Sequence, residues 1–236
     1  MKNNTTSPKK KTLDSFFGKP YIVIFAILLF ACAALKLSFT LSRETAAGVW
    51  KFVLIFDTIT TLLTSSSLFL FYMSSDTKAK EGAKISAITF LVTSALSLFT
   101  QIAVLIYFAT LFELTVFFLA FLFFFLQATF QLRFAIGLAF DVFKKKPRAK
   151  GALGYAAAKI FSLAGALIIK LVDSNLLKLN SFKTPFEASN ALETNYPELA
   201  FYAIIISSLT IAAFAILYNK FACSINNEKA EKAEEK

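Results

Sequence analysis

The chain has 236 residues, of which 57% are hydrophobic and only 17% charged, yet its formal net charge is +10. A soluble domain is usually about 45–50% apolar and about 25% charged, so this composition argues against an ordinary soluble globule and against disorder. The absence of His excludes Ser-His-Asp and Cys-His catalysis, HExxH zinc sites and His-ligated haem, and 22 Lys against 3 Arg is a poor composition for bidentate recognition of nucleic acid.

Residues 1–20 are polar and basic, with Lys9, Lys10 and Lys11 in a row and Pro20 closing the stretch. The first apolar interval, 21–41, carries one charge, Lys36. About 20 helical residues cross the roughly 30 Å of hydrocarbon in a bilayer, so this interval predicts a first span. The basic flank and the small residues Ala31-Cys32-Ala33 also resemble a signal peptide with a cleavage site, and the last four residues before Ala33 faintly resemble a lipobox. The apolar run continues to Leu41, which makes an uncut span the simpler reading. Cys32 and Cys223 read as small apolar residues.

The second interval, 52–73, holds a single charge, Asp57. A carboxylate within a span is costly and marks a functional site by default. Thr60, Thr61 and Thr64 are spaced to share its helical face. This polar stripe is a candidate ion or substrate site. The competing explanation is a pair with Lys36. A hairpin turning near residues 46–47 places Lys36 and Asp57 at similar depth, where each neutralises the other, and this structural pairing is the favoured reading.

The block 85–140 is too long for one span at about 1.5 Å per residue. A turn near Glu113 divides it into 85–108 and 114–140. Thr93, Ser97 and Gln101 recur at i, i+4, i+8 on the third span, and Gln127 and Gln131 at i, i+4 on the fourth. They predict interhelical hydrogen bonds within the membrane. Arg133 is placed to snorkel toward the headgroups. The Phe-rich start of the fourth span reads as a lipid-facing and packing surface.

Lys144, Lys145, Lys146, Arg148 and Lys150 form a juxtamembrane cluster suited to anionic lipid headgroups. The fifth interval, 151–172, contains Lys159 and Lys170 and either spans or lies in the interface; a span is favoured. Its ridge of Gly154, Ala158, Ser162 and Ala166 predicts close packing on another helix, in this chain or in a second copy. After a long loop, 173–197, the sixth interval, 199–218, is uncharged, and residues 219–236 form a charged, helical tail.

The loops test this count. With six spans and both termini inside, the inside segments hold seventeen Lys and Arg and the outside loops four, a strong positive-inside bias. The expectation is therefore an all-α, polytopic helical membrane protein of about six transmembrane helices with cytoplasmic termini, in the cell membrane. It comprises a basic N-terminal segment (1–20), a six-helix membrane domain (21–218) and a charged tail (219–236). No catalytic constellation, metal cluster or cofactor motif is recognisable, so neither an enzyme nor a bound cofactor or metal is expected. The favoured function is an accessory, assembly or scaffolding component of a membrane complex, contacting lipid and a membrane-protein partner or a second copy, with no nucleic-acid role. The alternative is a small-solute or ion transporter or channel built on the polar face around Asp57.

Overall fold

The computed structural model of the chain describes residues 12–42, 49–76, 81–110, 116–173 and 198–234. The expected turn at Glu113 and the loop 173–197, apart from Asp173, lie outside these residues. Seven helices are present among them: α1 (Leu13–Phe17), α2 (Pro20–Ser42), α3 (Val49–Asp76), α4 (Gly82–Thr110), α5 (Val116–Lys144), α6 (Ala152–Asp173) and α7 (Glu198–Glu234). Each apolar interval of the sequence falls almost wholly on one long helix. α2 runs unbroken through Ala31, Cys32 and Ala33, and Cys32 is buried.

Every long helix packs on two neighbours. α2 packs on α3, α3 on α4, α4 on α5, α5 on α6 and α6 on α7, and α7 closes the ring against α2. The bundle is sorted as lipid solvent demands. Large apolar side chains face outward on all six long helices, among them Ile27, Phe69, Phe99, Phe140, Phe161 and Leu209. Ala, Ser and Thr dominate the interior: Ala26, Ala87, Ser94, Ala128, Ala135, Ala156, Ser208 and Ala215 are all buried. Lipid tails are as apolar as Leu, so helices in a membrane gain more from close approach through small residues than from hiding large ones. A water-soluble protein of this size would not leave so much contiguous apolar surface uncovered.

Four helices contain described stretches long and apolar enough to cross a membrane: Pro20–Leu37, Gly82–Ala103, Leu122–Lys144 and Tyr202–Asn227. The protein is an integral membrane protein by this measure. The described part of α6 contributes an apolar stretch, Ala152–Gly165, and α3 is diluted by Asp57 and its run of Thr and Ser.

The end of the bundle where α2 begins and α3 ends, the near end, is closed by aromatic rings. α1 is one turn and a half long, with Thr12 as N-cap receiving the Ser15 N–H. It carries Phe16 and Phe17 into the interior, each 2% exposed. Phe17 stacks on Phe71 of α3 at 4.2 Å between centroids, and Phe16 meets Tyr218 edge-on at 5.3 Å. Phe134 of α5 lies deeper, against Phe90 of α4, Tyr155 of α6 and Phe214 and Tyr218 of α7.

The connection from α5 to α6 folds back along α5. Lys145 and Ala149 have positive φ (51° and 49°), and Gly151 has φ 85°. These left-handed positions turn the chain sharply, and only at Gly151 is the conformation free of steric cost. Gly137, about two turns before the end of α5, lets the loop lie directly on the helix, because a Cβ there would stand 2.5 Å from the Lys150 carbonyl oxygen. Replacing Gly137 by Ala therefore has to displace the loop, at an expected cost of about 1–3 kcal/mol, read as a lowered unfolding midpoint in detergent.

Candidate functional site

Two polar assemblies stand out, one deep in the bundle and one at its near end. In the first, the hairpin of α2 and α3 brings Lys36 and Asp57 together. The Lys36 ammonium donates to Asp57 Oδ2 at 2.8 Å, to Thr61 Oγ1 at 3.3 Å and to Ser207 Oγ at 3.5 Å. Three helices, α2, α3 and α7, thus share one cation. Lys159 of α6 lies within electrostatic reach of both charges. The Lys36 side chain is 6% exposed and that of Asp57 46%. The cation is therefore the enclosed member, and the carboxylate is the one that can be approached from outside the bundle.

The remaining hydroxyls of this face are spent locally. Thr60 and Thr61 both donate to the Asp57 carbonyl, and Thr64 donates to that of Thr60. Ser65 instead crosses to α2, donating to the Ala26 carbonyl at 2.7 Å. That contact is an interhelical bond with no signal in the spacing of the Thr residues.

In the third and fourth intervals the described side-chain bonds run within one helix. Thr93 donates to Thr89 within α4, and Gln127 Nε2 donates to Gln131 Oε1 within α5 at 2.8 Å. The reason is geometric: i, i+4 neighbours on one helix already lie side by side, so one buried amide can donate to the other without crossing a groove. Ser97 is half-buried. Gln101 Oε1 is buried without a hydrogen-bond partner.

The small-residue ridge of α6 finds a neighbour inside the chain. Gly154 faces the Phe130 ring of α5, where a Cβ would meet ring carbons at 3.0 and 3.1 Å. Ala158 and Ser162 are buried, and Ser162 donates to the Lys159 carbonyl. The Ala166 side chain lies outside the described residues.

The second assembly is centred on Asp141, in the last turn of α5. Its Oδ2 accepts three hydrogen bonds of 2.9 Å: from the N–H groups of Arg148 and Ala149 and from the Tyr218 hydroxyl. A single carboxylate oxygen thus holds the folded-back loop to α5 and ties both to α7. Tyr155, close by, has a fully buried hydroxyl with no partner. The two tyrosines give opposite expectations. Tyr218→Phe removes a bond to a charged group and will lower stability by about 1.5–3 kcal/mol, whereas Tyr155→Phe removes an unsatisfied group and will be neutral or stabilising. Denaturant titration in detergent checks both.

Around this loop the basic cluster forms the wall of a cleft of about 640 Å³. Arg133, Lys144, Lys146, Arg148 and Lys150 line it, together with Ile136, Gly137, Phe140, Asp141 and Gly151. Lys145 is exposed but does not line it. Arg133, eleven positions before the first Lys of the cluster, joins it because the loop returns along α5. No family model matches the chain, and comparison with curated proteins and with solved structures likewise finds no similar protein.

Proposed function

We propose that the chain is a six-span membrane protein with both termini in the cytoplasm, acting as a non-catalytic accessory, assembly or scaffolding component of a membrane complex. α3 and α6 complete the six spans, and the near end, which carries α1 and the basic loop, faces the cytoplasm. The observation that carries this reading is how Lys36 is partnered. The buried cation is shared with a carboxylate and with hydroxyls from two neighbouring helices, an arrangement that locks helices together. The unbroken helices support it as well, since transport sites commonly sit on interrupted ones. The bilayer, with anionic headgroups at the basic end, and a second membrane protein or a second copy are the partners this role requires. In-membrane crosslinking followed by mass spectrometry tests it. Links to one recurrent membrane partner or across two copies are expected, and recovery of links only within single chains contradicts the proposal.

The second reading, transport of an ion or small solute, is favoured by the exposure of Asp57 and by a second cation, Lys159, within electrostatic reach of the pair. Proteoliposomes containing the wild-type protein would then show flux that Asp57→Asn abolishes. Flux no greater than that of empty liposomes removes this reading.

A further inference from the structure

We propose that the cleft between α5 and the folded-back 145–151 loop binds one molecule of a phosphate-bearing anionic lipid, headgroup against the cations and acyl chain along α5. The inference rests on the chain being a membrane protein, and it is independent of the accessory role. Three observations carry it.

The first is that the cleft is built, not merely charged. A flexible basic loop would meet headgroups as a diffuse cloud of charge. Here Asp141 fixes the loop through two backbone N–H groups, two non-glycine residues hold left-handed backbone, and Gly137 admits the loop against the helix. Such strained positions persist only where surrounding contacts enforce them. The second is charge. Five cationic side chains line the cleft, against one carboxylate, and the hydrogen-bonding oxygen of that carboxylate is already occupied by three donors. Arg133 and Arg148, two of only three Arg in the chain, both line it, and Arg is the side chain whose planar fork matches phosphate oxygens.

The third separates a lipid from free phosphate. The same cleft has an apolar wall, Ile136 and Phe140, both exposed at 42% and 57%, with Phe143 beside them at 50%. The Lys144 ammonium lies over the Phe140 ring at 5.4 Å. Cations and exposed apolar side chains sharing one cleft suit an amphiphile at the membrane boundary; a soluble phosphate has no use for the apolar wall.

The test uses the full chain purified in a neutral detergent and measures thermal unfolding with added phosphatidylglycerol, phosphatidylcholine or inorganic phosphate. Native mass spectrometry counts retained lipid. Phosphatidylglycerol is expected to raise the midpoint and to be retained as a single molecule, with the other two additives showing little effect. Arg133→Gln with Arg148→Gln replaces two exposed side chains and leaves the Arg148 N–H in place, so the lipid-free midpoint is expected to hold. Apparent affinity for phosphatidylglycerol will fall by about fivefold per charge removed. Lys84→Gln, an exposed charge on α4 outside the cleft, will bind as wild type. Equal stabilisation by phosphatidylcholine, equal stabilisation by inorganic phosphate, or an equal loss in Lys84→Gln each overturns the proposal. Protein that stays soluble and monodisperse without detergent would instead overturn the membrane reading beneath it.

Discussion

Asp57→Ala will destabilise the bundle by about 3 kcal/mol or more, and removing its partner as well will recover most of the loss. The Lys36 ammonium is enclosed at 6% exposure. Without the carboxylate it keeps hydroxyl acceptors, Thr61 and Ser207 among them, but loses its close ionised partner, with another cation, Lys159, within electrostatic reach. Breaking a buried ion pair from one side costs about 3–5 kcal/mol because a charge is left uncompensated, while replacing both members with apolar residues is often neutral or stabilising. Lys36→Met combined with Asp57→Leu is therefore expected to be close to wild type in stability. Equilibrium unfolding of the wild type, Lys36→Met, Asp57→Leu and the double variant in one detergent gives the cycle, with Asp57→Ala measured beside them. A double variant as unstable as Asp57→Ala would show that the pair acts through something other than mutual neutralisation. The cycle also bears on transport, since a chain that regains stability without Asp57 can then be assayed for flux.

The second large effect is expected at Phe134. Its ring is fully buried and touches aromatic rings of three other helices, Phe90, Tyr155, Phe214 and Tyr218. In a membrane much of the transfer term for burying an apolar side chain disappears, since lipid is no more polar than the core. The packing term remains. Phe134→Ala opens a cavity that four rigid rings cannot refill, and the loss is expected at about 2–3 kcal/mol. Phe99→Ala, at a ring 72% exposed on the outer surface of α4, will change stability by less than about 0.5 kcal/mol. Comparable losses at both positions would contradict the assignment of interior and lipid-facing surfaces.

Helix extents were legible in the sequence because hydropathy and charge punctuate the chain at the lengths a bilayer imposes. The interval 52–73 became α3 and 85–108 became α4, each extended by two or three residues at either end. The Lys36–Asp57 pair was legible for the same reason: a hairpin of known turn position sets depth, and two opposite charges at one depth meet. Asp141 was not legible. Its importance comes from a loop that reverses along α5 and from Tyr218, 77 residues away, and neither the reversal nor the α5–α7 proximity has a local sequence signature. Gly137 and Gly151 are the only hints, because both permit backbone to approach backbone. The Gln127–Gln131 bond shows what spacing alone leaves open. The spacing was read correctly, but i, i+4 periodicity identifies a shared face without saying whether the partners lie on that helix or the next.

The central claim is that six helices cross the membrane with both ends of the chain on the same, cytoplasmic side, and labelling of single cysteines tests it most directly. In a Cys32→Ser, Cys223→Ser background, Thr45→Cys and Thr184→Cys are expected to react with an impermeant maleimide on intact cells. Lys78→Cys and Lys145→Cys are expected to react only after the membrane is opened. Labelling of positions 145 and 184 from the same side would mean that α6 does not cross, and the six-span account would fail.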